Sequence, residues 1–156
     1  MVAGCSAPSL KLGLGMVANM SGGNASPDGD GKTQADVTAC AVTLDSNGRI
    51  VGVAWDVMQC KASVTTAGAV TVADSIQSKK ELKEGYNMKG ASAIGKEWYE
   101  QADAMEAFVF GKTAEELYGI AVDESYKPTD ADLLAGVTVS IGGYKTAAVK
   151  AVDNAK

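Results

Sequence analysis

Two alternating runs joined by a short turn constrain the fold of this 156-residue chain more than any other feature. Residues 35–44 and 49–58 alternate apolar or β-branched residues with other residues, which is the period of a half-buried strand. Between them lies Asp45-Ser46-Asn47-Gly48, a run of residues that reverse turns prefer. The sequence therefore predicts an antiparallel β-hairpin here.

The register of this hairpin decides what two of the three cysteines can do. In the two registers that the turn allows, Cys40 lies opposite Val53 or opposite Trp55. Neither register brings Cys40 beside Cys60, and the Cα atoms of a disulfide lie within about 7 Å of each other. We therefore expect Cys40 and Cys60 to be small apolar strand residues without a bridge between them.

Further strands are predicted on both sides of the hairpin. Residues 10–20 alternate and are rich in apolar residues, and residues 61–66 and 69–72 are shorter runs of the same kind. Residues 21–33 are polar and rich in glycine, which predicts a long loop, either a functional flap or a tolerated insertion. Together these segments predict an antiparallel meander.

The second half of the chain changes to helical patterns. Residues 78–83 and 113–118 each begin with Ser or Thr followed three residues later by Glu, the pattern of a capping box. Residues 96–110 predict a long amphipathic helix that ends at Gly111. Its apolar stripe consists of Trp98, Ala102, Met105 and Val109, with Tyr99 and Phe108 beside it.

The C-terminal segment predicts a strand over residues 132–141, a tight turn at Gly142-Gly143 and an apolar-striped helix over residues 144–155. A faint similarity between residues 35–43 and 131–138 suggests two related halves that share one sheet. Strands come first, helices come later, and no βαβ rhythm is present. The expected fold is therefore α+β, an antiparallel meander packed against the long helix and a C-terminal helix.

Composition excludes several classes of function. The chain has no histidine, which removes Ser–His and Cys–His nucleophile pairs and most zinc sites. Its net charge is -5, with one arginine and no basic stretch, so we expect no nucleic-acid partner. No segment approaches the roughly 20 apolar residues of a membrane-spanning helix. We expect a noncatalytic protein unless a bound cofactor supplies the chemistry.

The N-terminus suggests a lipid anchor. Met1-Val2-Ala3-Gly4-Cys5 ends like a bacterial lipobox, with a branched apolar residue, two small residues and the cysteine that receives lipid. The alternative is an ordinary N-terminal tail, because the apolar part of a signal peptide takes about 7–15 residues. We expect residues 1–9 to be the lipobox remnant and tether of a single domain at 10–156. Lipid on Cys5 would hold that domain on the outer face of a bacterial membrane.

The Gly142-Gly143 turn is the best candidate for binding an anion. A strand that passes through two glycines directly into a helix leaves backbone N–H groups free at the positive end of the helix dipole. Lys145 or Thr146 can assist there. The alternative is that the two glycines only make the connection.

An aromatic ligand would need a flat partner, for which Trp98 and Tyr86 are the candidates. Trp98 and its neighbour Tyr99 point about 100° apart on the helix, so we expect one to face the core. The other can line a pocket with Tyr86 and Met88. Core packing is the competing explanation for these rings.

Residues 78–111 contain YNMK at 86–89 and ASAIGKEWYEQ at 91–101, and a related pattern continues through 128–133 to the terminal helix. With these segments, most of the chain resembles a family of uncharacterised bacterial surface lipoproteins. The hairpin pattern of Asp45, Gly48 and Ile50 is similar to flavin-mononucleotide-binding (FMN-binding) domains of envelope redox proteins. The Ser/Thr-Gly-Ala-Thr segment by which many such domains attach flavin is absent, so this similarity implies noncovalent FMN binding.

Three functions remain open from the sequence. The first is a noncatalytic cell-surface lipoprotein that binds a small ligand or a protein. The second is a noncovalent FMN-binding electron carrier of the cell envelope, in which the cofactor does the chemistry. The third is a structural surface protein that assembles through exposed strand edges.

Overall fold

The computed structural model describes residues 9–156, so the expected lipidation site, Cys5, lies outside the described residues. This part of the chain forms a four-stranded antiparallel sheet in the order β1-β2-β3-β4, followed by five α-helices. The predicted α+β fold, a meander packed against helices that include a C-terminal one, is confirmed. Among the described helices, none combines the length and the apolar character that crossing a bilayer requires.

The elements follow each other along the chain with short connections. The strands are β1 (Lys11–Gly23), β2 (Gly31–Leu44), β3 (Ile50–Val64) and β4 (Val70–Val72). The helices are α1 (Lys79–Leu82), α2 (Trp98–Val109), α3 (Ala114–Tyr118), α4 (Ala131–Leu134) and α5 (Gly142–Asp153). Two 3₁₀ turns, Lys83–Tyr86 and Lys89–Ala91, connect α1 to α2.

The central hairpin has one of the two registers expected from its turn. Cys40 pairs with Trp55, and Cys60 pairs with Ala35, so the two cysteines lie far apart along the sheet and form no bridge with each other. Cys40 is completely buried, and burial raises the pKa of its thiol to about 12. Cys40 is therefore a neutral, apolar core residue, as predicted.

The prediction of a long loop over residues 21–33 is wrong. β1 continues to Gly23 and β2 begins at Gly31, so the ladder extends well into this segment. Ser26 and Gly29 exchange backbone hydrogen bonds of 2.9 and 3.1 Å and close a tight turn. Strand pairing uses backbone groups, so polar and glycine residues can continue a ladder where the sheet is exposed to solvent.

The prediction of a strand over residues 132–141 is also wrong. The first of these residues belong to α4, whose N-cap Asp130 accepts hydrogen bonds from the backbone N–H groups of Asp132 and Leu133. The apolar residues of this segment include Leu133 and Val137, which are buried against the helices rather than in a sheet. The similarity between residues 35–43 and 131–138 therefore does not extend to structure. Gly142 and Gly143 form the first turn of α5 rather than a separate tight turn.

Local helix signals in the sequence are confirmed. Both predicted capping boxes are present, Ser78 with Glu81 and Thr113 with Glu116. The four stripe residues of α2 are all buried. The chain leaves α2 through Gly111 at a φ of 81°, a left-handed conformation that glycine adopts without strain.

Helix α5 packs directly on β1 and β2, and this contact depends on two glycines. A Cβ atom on Gly13 would lie 1.8 Å from the carbonyl oxygen of Ala151, and one on Gly15 would lie 2.0 Å from that of Ala147. Because backbone occupies both places, neither glycine has room for a side chain. The helix in turn presents small residues, since Ala147 and Ala151 are completely buried.

We predict that Gly15→Ala destabilises the protein by about 3 kcal/mol, because the added methyl group forces α5 away from β1. Urea unfolding measures this change. The control is Gly29→Ala, where an added Cβ meets nothing within 4 Å, and it should change the stability by less than about 1 kcal/mol. Equal stabilities of the two variants would contradict the close approach of α5.

Candidate functional site: a cleft at the start of helix α5

A cleft of about 390 Å³ opens between the sheet and the N-terminal end of α5. Its walls come from β1, β2, β3, α1, the 3₁₀ turns, the start of α2 and the segment that leads into α5. The lining residues are Asn19, Asp36, Thr38, Val57, Gln59, Lys79, Tyr86, Met88, Trp98, Val139, Ser140, Gly143 and Tyr144. The cleft thus brings together Trp98, Tyr86 and Gly143, which the sequence suggested separately.

The first turn of α5 contributes backbone donors to this region. The N-cap of α5 is Ile141, which has no side-chain group to cap the helix. The first intrahelical bond is donated by the Lys145 N–H to the Ile141 carbonyl (2.9 Å), so the amides of Gly142, Gly143 and Tyr144 precede the hydrogen-bonded turns. Such amides and the helix dipole together favour an anion.

Gly143 lets the backbone come close to the sheet. A Cβ atom there would lie 3.3 Å from the hydroxyl oxygen of Thr38 on β2, which is tighter than ordinary contact. Gly142 faces elsewhere, because its Cβ would meet the ring of Tyr126 at 3.0 Å. Of the two predicted glycines, only Gly143 lines the cleft.

Aromatic rings form one wall of the cleft. The ring of Tyr144 packs between two tryptophans, with centroid distances of 5.9 Å to Trp98 and 6.0 Å to Trp55. Trp98 is buried and still lines the cleft, so it serves both as a core residue and as a wall. Burial raises the pKa of Tyr144 far above its usual value, which keeps its hydroxyl neutral.

The cation of the cleft is Lys79, which sequence reasoning missed. Its ammonium nitrogen lies 4.7 Å from the ring centroid of Tyr86 and 5.3 Å from that of Trp98. Cation–π attraction holds the charge between the two rings. The pattern around Lys79 indicated only a short capped helix, and no local signal connects it to rings that lie farther along the chain.

Polar side chains of the sheet hold Tyr86 in place. The carboxylate of Asp36 accepts hydrogen bonds of 2.7 Å from the amide groups of both Gln34 and Gln59. The side-chain oxygen of Gln59 accepts a bond of 3.3 Å from the Tyr86 hydroxyl. This chain of bonds connects the Tyr86 wall to β2 and β3.

Gln101 of α2 positions the segment that enters the cleft. Its side chain is completely buried, and its oxygen accepts hydrogen bonds from the N–H groups of Thr138 (2.8 Å) and Val139 (3.2 Å). Its amide nitrogen donates to the Ser92 hydroxyl (3.1 Å). Gln101 therefore accepts the hydrogen bonds that the carbonyl groups of a neighbouring strand would accept if this segment belonged to a sheet. The sequence signal that could have identified Gln101 is a polar residue beside the apolar stripe of α2.

Glu97 has a similar role on the opposite wall. Its buried carboxylate accepts hydrogen bonds from the N–H groups of Met88 (2.8 Å) and Lys89 (3.1 Å). These bonds hold Met88 beside the start of α2, where it lines the cleft.

The two residues expected to assist at the α5 terminus point to other partners. The Lys145 ammonium donates to the carbonyl of Ile120, and the Thr146 hydroxyl donates to the carbonyl of Gly142 (3.0 Å). Neither residue lines the cleft. Within residues 9–156, no group of three or more His, Cys, Asp or Glu side chains is arranged to hold a metal ion.

This chain has a distant similarity to a curated protein. The chain is 29% identical over 125 residues to chlorophenol reductase of Desulfitobacterium hafniense, a match that covers 71% of this chain and 37% of that protein. The chain thus spans little more than a third of the length of this curated relative. No family model matches the chain, and no solved structure matches it either.

We predict that Gln101→Leu destabilises the fold by about 1–3 kcal/mol for each backbone N–H group left without its acceptor. Urea unfolding again measures the loss. Gln77→Leu is the matched control, because Gln77 is exposed and its replacement should change stability by at most about 0.5 kcal/mol. A loss no larger for Gln101→Leu than for the control would show that Gln101 does not hold this segment.

Proposed function

We propose that this domain binds FMN noncovalently in the α5 cleft and acts as an electron-transfer domain. The observation that carries the proposal is that one cleft joins an aromatic wall, a lysine ammonium and the uncapped start of a helix. These are the groups that an aromatic ring system with a phosphate would need. In such a domain the protein supplies position and electrostatics, and the cofactor carries the electrons.

The phosphate would lie against the first turn of α5. The Gly143 and Tyr144 amides and the helix dipole favour a dianion there, and the missing side chain of Gly143 leaves room for its approach. Lys79 lines the same cleft and adds a positive charge. Tyr144 adds no negative charge, because its hydroxyl stays neutral. The carboxylate that lines the cleft, that of Asp36, accepts hydrogen bonds from Gln34 and Gln59.

The ring system would lie against Tyr86 and Trp98. In the structure the Lys79 ammonium already lies against the rings of both Tyr86 and Trp98. Binding of the ligand's ring system therefore requires this flexible side chain to move toward the phosphate. The absence of histidine is compatible with a role in which a cofactor does the chemistry. The distant similarity to a protein named as a reductase favours a redox role over a purely noncatalytic one.

A noncatalytic binding module is the second candidate, and the position of Lys79 favours it. With the ammonium between the two rings, the cleft contains both a cation and the start of α5, and this combination suits a small anion. Binding of inorganic phosphate without any binding of FMN would support this function.

We predict that FMN fluorescence is quenched when the purified domain is titrated, because the flavin would stack against Trp98 or Tyr86. Gly143→Asp should abolish the quenching, since it places a carboxylate against the phosphate. The matched control is Thr146→Asp, which adds the same charge one turn along α5 but outside the cleft. Circular dichroism checks that both variants fold.

An absence of quenching by the wild-type protein at high micromolar concentration would overturn the flavin proposal. Equal loss of binding in both variants would show only a general charge effect and would contradict the assignment of the phosphate to Gly143.

We also propose that Cys5 carries lipid and anchors the domain to the outer face of a bacterial membrane. The lipobox-like residues before Cys5 support this proposal. We predict that Cys5→Ala, in a chain expressed behind a bacterial lipoprotein export signal, moves the protein from the membrane fraction to the soluble fraction. Cys60→Ala is the control, since Cys60 lies in β3. Unchanged membrane association of Cys5→Ala would refute the anchor.

A further inference from the structure

One face of the sheet is largely apolar, and within residues 9–156 no helix packs across it, although the start of α1 reaches its β3 edge at Asp56. The register places Leu12, Leu14 and Met16 of β1 beside small residues of β2 and β3, among them Ala41 and Ala54. We call this surface the outer sheet face. It is the face opposite to Cys40 and Trp55, which point into the core.

The outer sheet face is open to solvent in residues 9–156. The side chains of Leu12, Leu14 and Met16 are 70%, 56% and 51% exposed, and none of them belongs to the hydrophobic core. α5 packs on β1 and β2 through the opposite face, where Gly13 and Gly15 meet it. An apolar sheet face of this extent usually packs against another layer.

The edge of β1 is already occupied between Leu12 and Met16, so a partner cannot easily add a strand along this part. Leu12 exchanges backbone hydrogen bonds of 3.2 Å with Lys156. The side chains of Asn154 and Lys150 donate to the carbonyls of Leu14 (3.1 Å) and Met16 (3.0 Å). These contacts protect the edge of β1 from Leu12 to Met16, and we take the face rather than this edge as the surface for association.

The chemistry of the face suits a protein better than a membrane. Where β1, β2 and β3 pair with one another, the charged residue on the outer sheet face is Asp56. Its carboxylate oxygen accepts hydrogen bonds from the backbone N–H groups of Val57 and Lys80. The same positions hold no lysine, arginine or aromatic residue, which are the groups that anchor proteins at membrane interfaces. The net charge of -5 also repels anionic lipid.

The size of the face is close to that of a stable interface. β1 has 13 residues. At a rise of about 3.3 Å per residue and a strand spacing of about 4.8 Å, three such strands present roughly 600 Å² in projection. Specific interfaces bury about 800 Å² of accessible surface per partner. Because side chains project from the sheet, the accessible area of the outer sheet face is larger than its projected area.

We propose that a second copy of this chain packs on the outer sheet face, so that two sheets stack into a symmetric sandwich. A two-fold axis in the plane of the interface and parallel to the strands sets β1 of each copy over the middle strands of the other. The leucines and methionines of β1 then fill the space above alanines and Gly52. Bulky residues on one side and small residues on the other make the face complementary to itself.

The test is the mass of the full chain in solution, measured without lipid by light scattering at tens of micromolar concentration. We expect a wild-type mass twice that of one chain. Leu14→Lys and Met16→Lys should each halve it, because two lysines would meet an apolar surface in every dimer. Phe110→Lys is the matched control: Phe110 is 61% exposed at the C-cap of α2, and its replacement should leave the dimer intact.

A wild-type monomer throughout this range, or dimers that survive both lysine substitutions, would overturn the proposal. Co-sedimentation of a monomeric wild type with vesicles of phosphatidylcholine and phosphatidylglycerol, lost in Leu14→Lys, would overturn it in favour of lipid. Circular dichroism checks folding, and both positions are more than half exposed, so the charged variants should fold.

Discussion

The structure depends on the direct contact between the backbone of α5 and the two glycines of β1. Gly13 and Gly15 have no space for a side chain, so the helix lies as close to the sheet as backbone atoms allow. This contact fixes both ends of the helix. Its first turn reaches Thr38 and closes one side of the cleft, and its last turns bring Lys156 and neighbouring side chains to the free edge of β1.

The arrangement gives the two faces of the sheet different chemistry. One face carries the core and, where the core ends, a cleft in which aromatic rings, a lysine and the positive end of a helix meet. The other face is apolar and almost free of charge. We propose a ligand with a ring and a phosphate for the first face and a second sheet for the other. Neither proposed role interferes with the other, because the sheet separates them.

Much of the fold could be predicted because its signals are local. The Asp45–Gly48 turn, the two capping boxes and the stripe of α2 each depend on residues a few positions apart. The strand expected over residues 132–141 failed because alternating apolar residues also occur in a buried loop, here held by Gln101. In the cleft, the sequence indicated Gly143, Trp98 and Tyr86 as separate candidates but did not indicate that one cleft joins them. Lys79 was missed because its partners are distant in sequence.

The most direct test of the proposed site is an NMR titration of the ¹⁵N-labelled domain with FMN. We predict that the largest shifts occur at the backbone amides of Gly143 and Tyr144 and at the indole N–H of Trp98. Inorganic phosphate should move the two backbone amides, and the indole signal should move much less. Shifts confined to residues outside the cleft, or no shifts with FMN, would contradict the assignment of this cleft as the functional site.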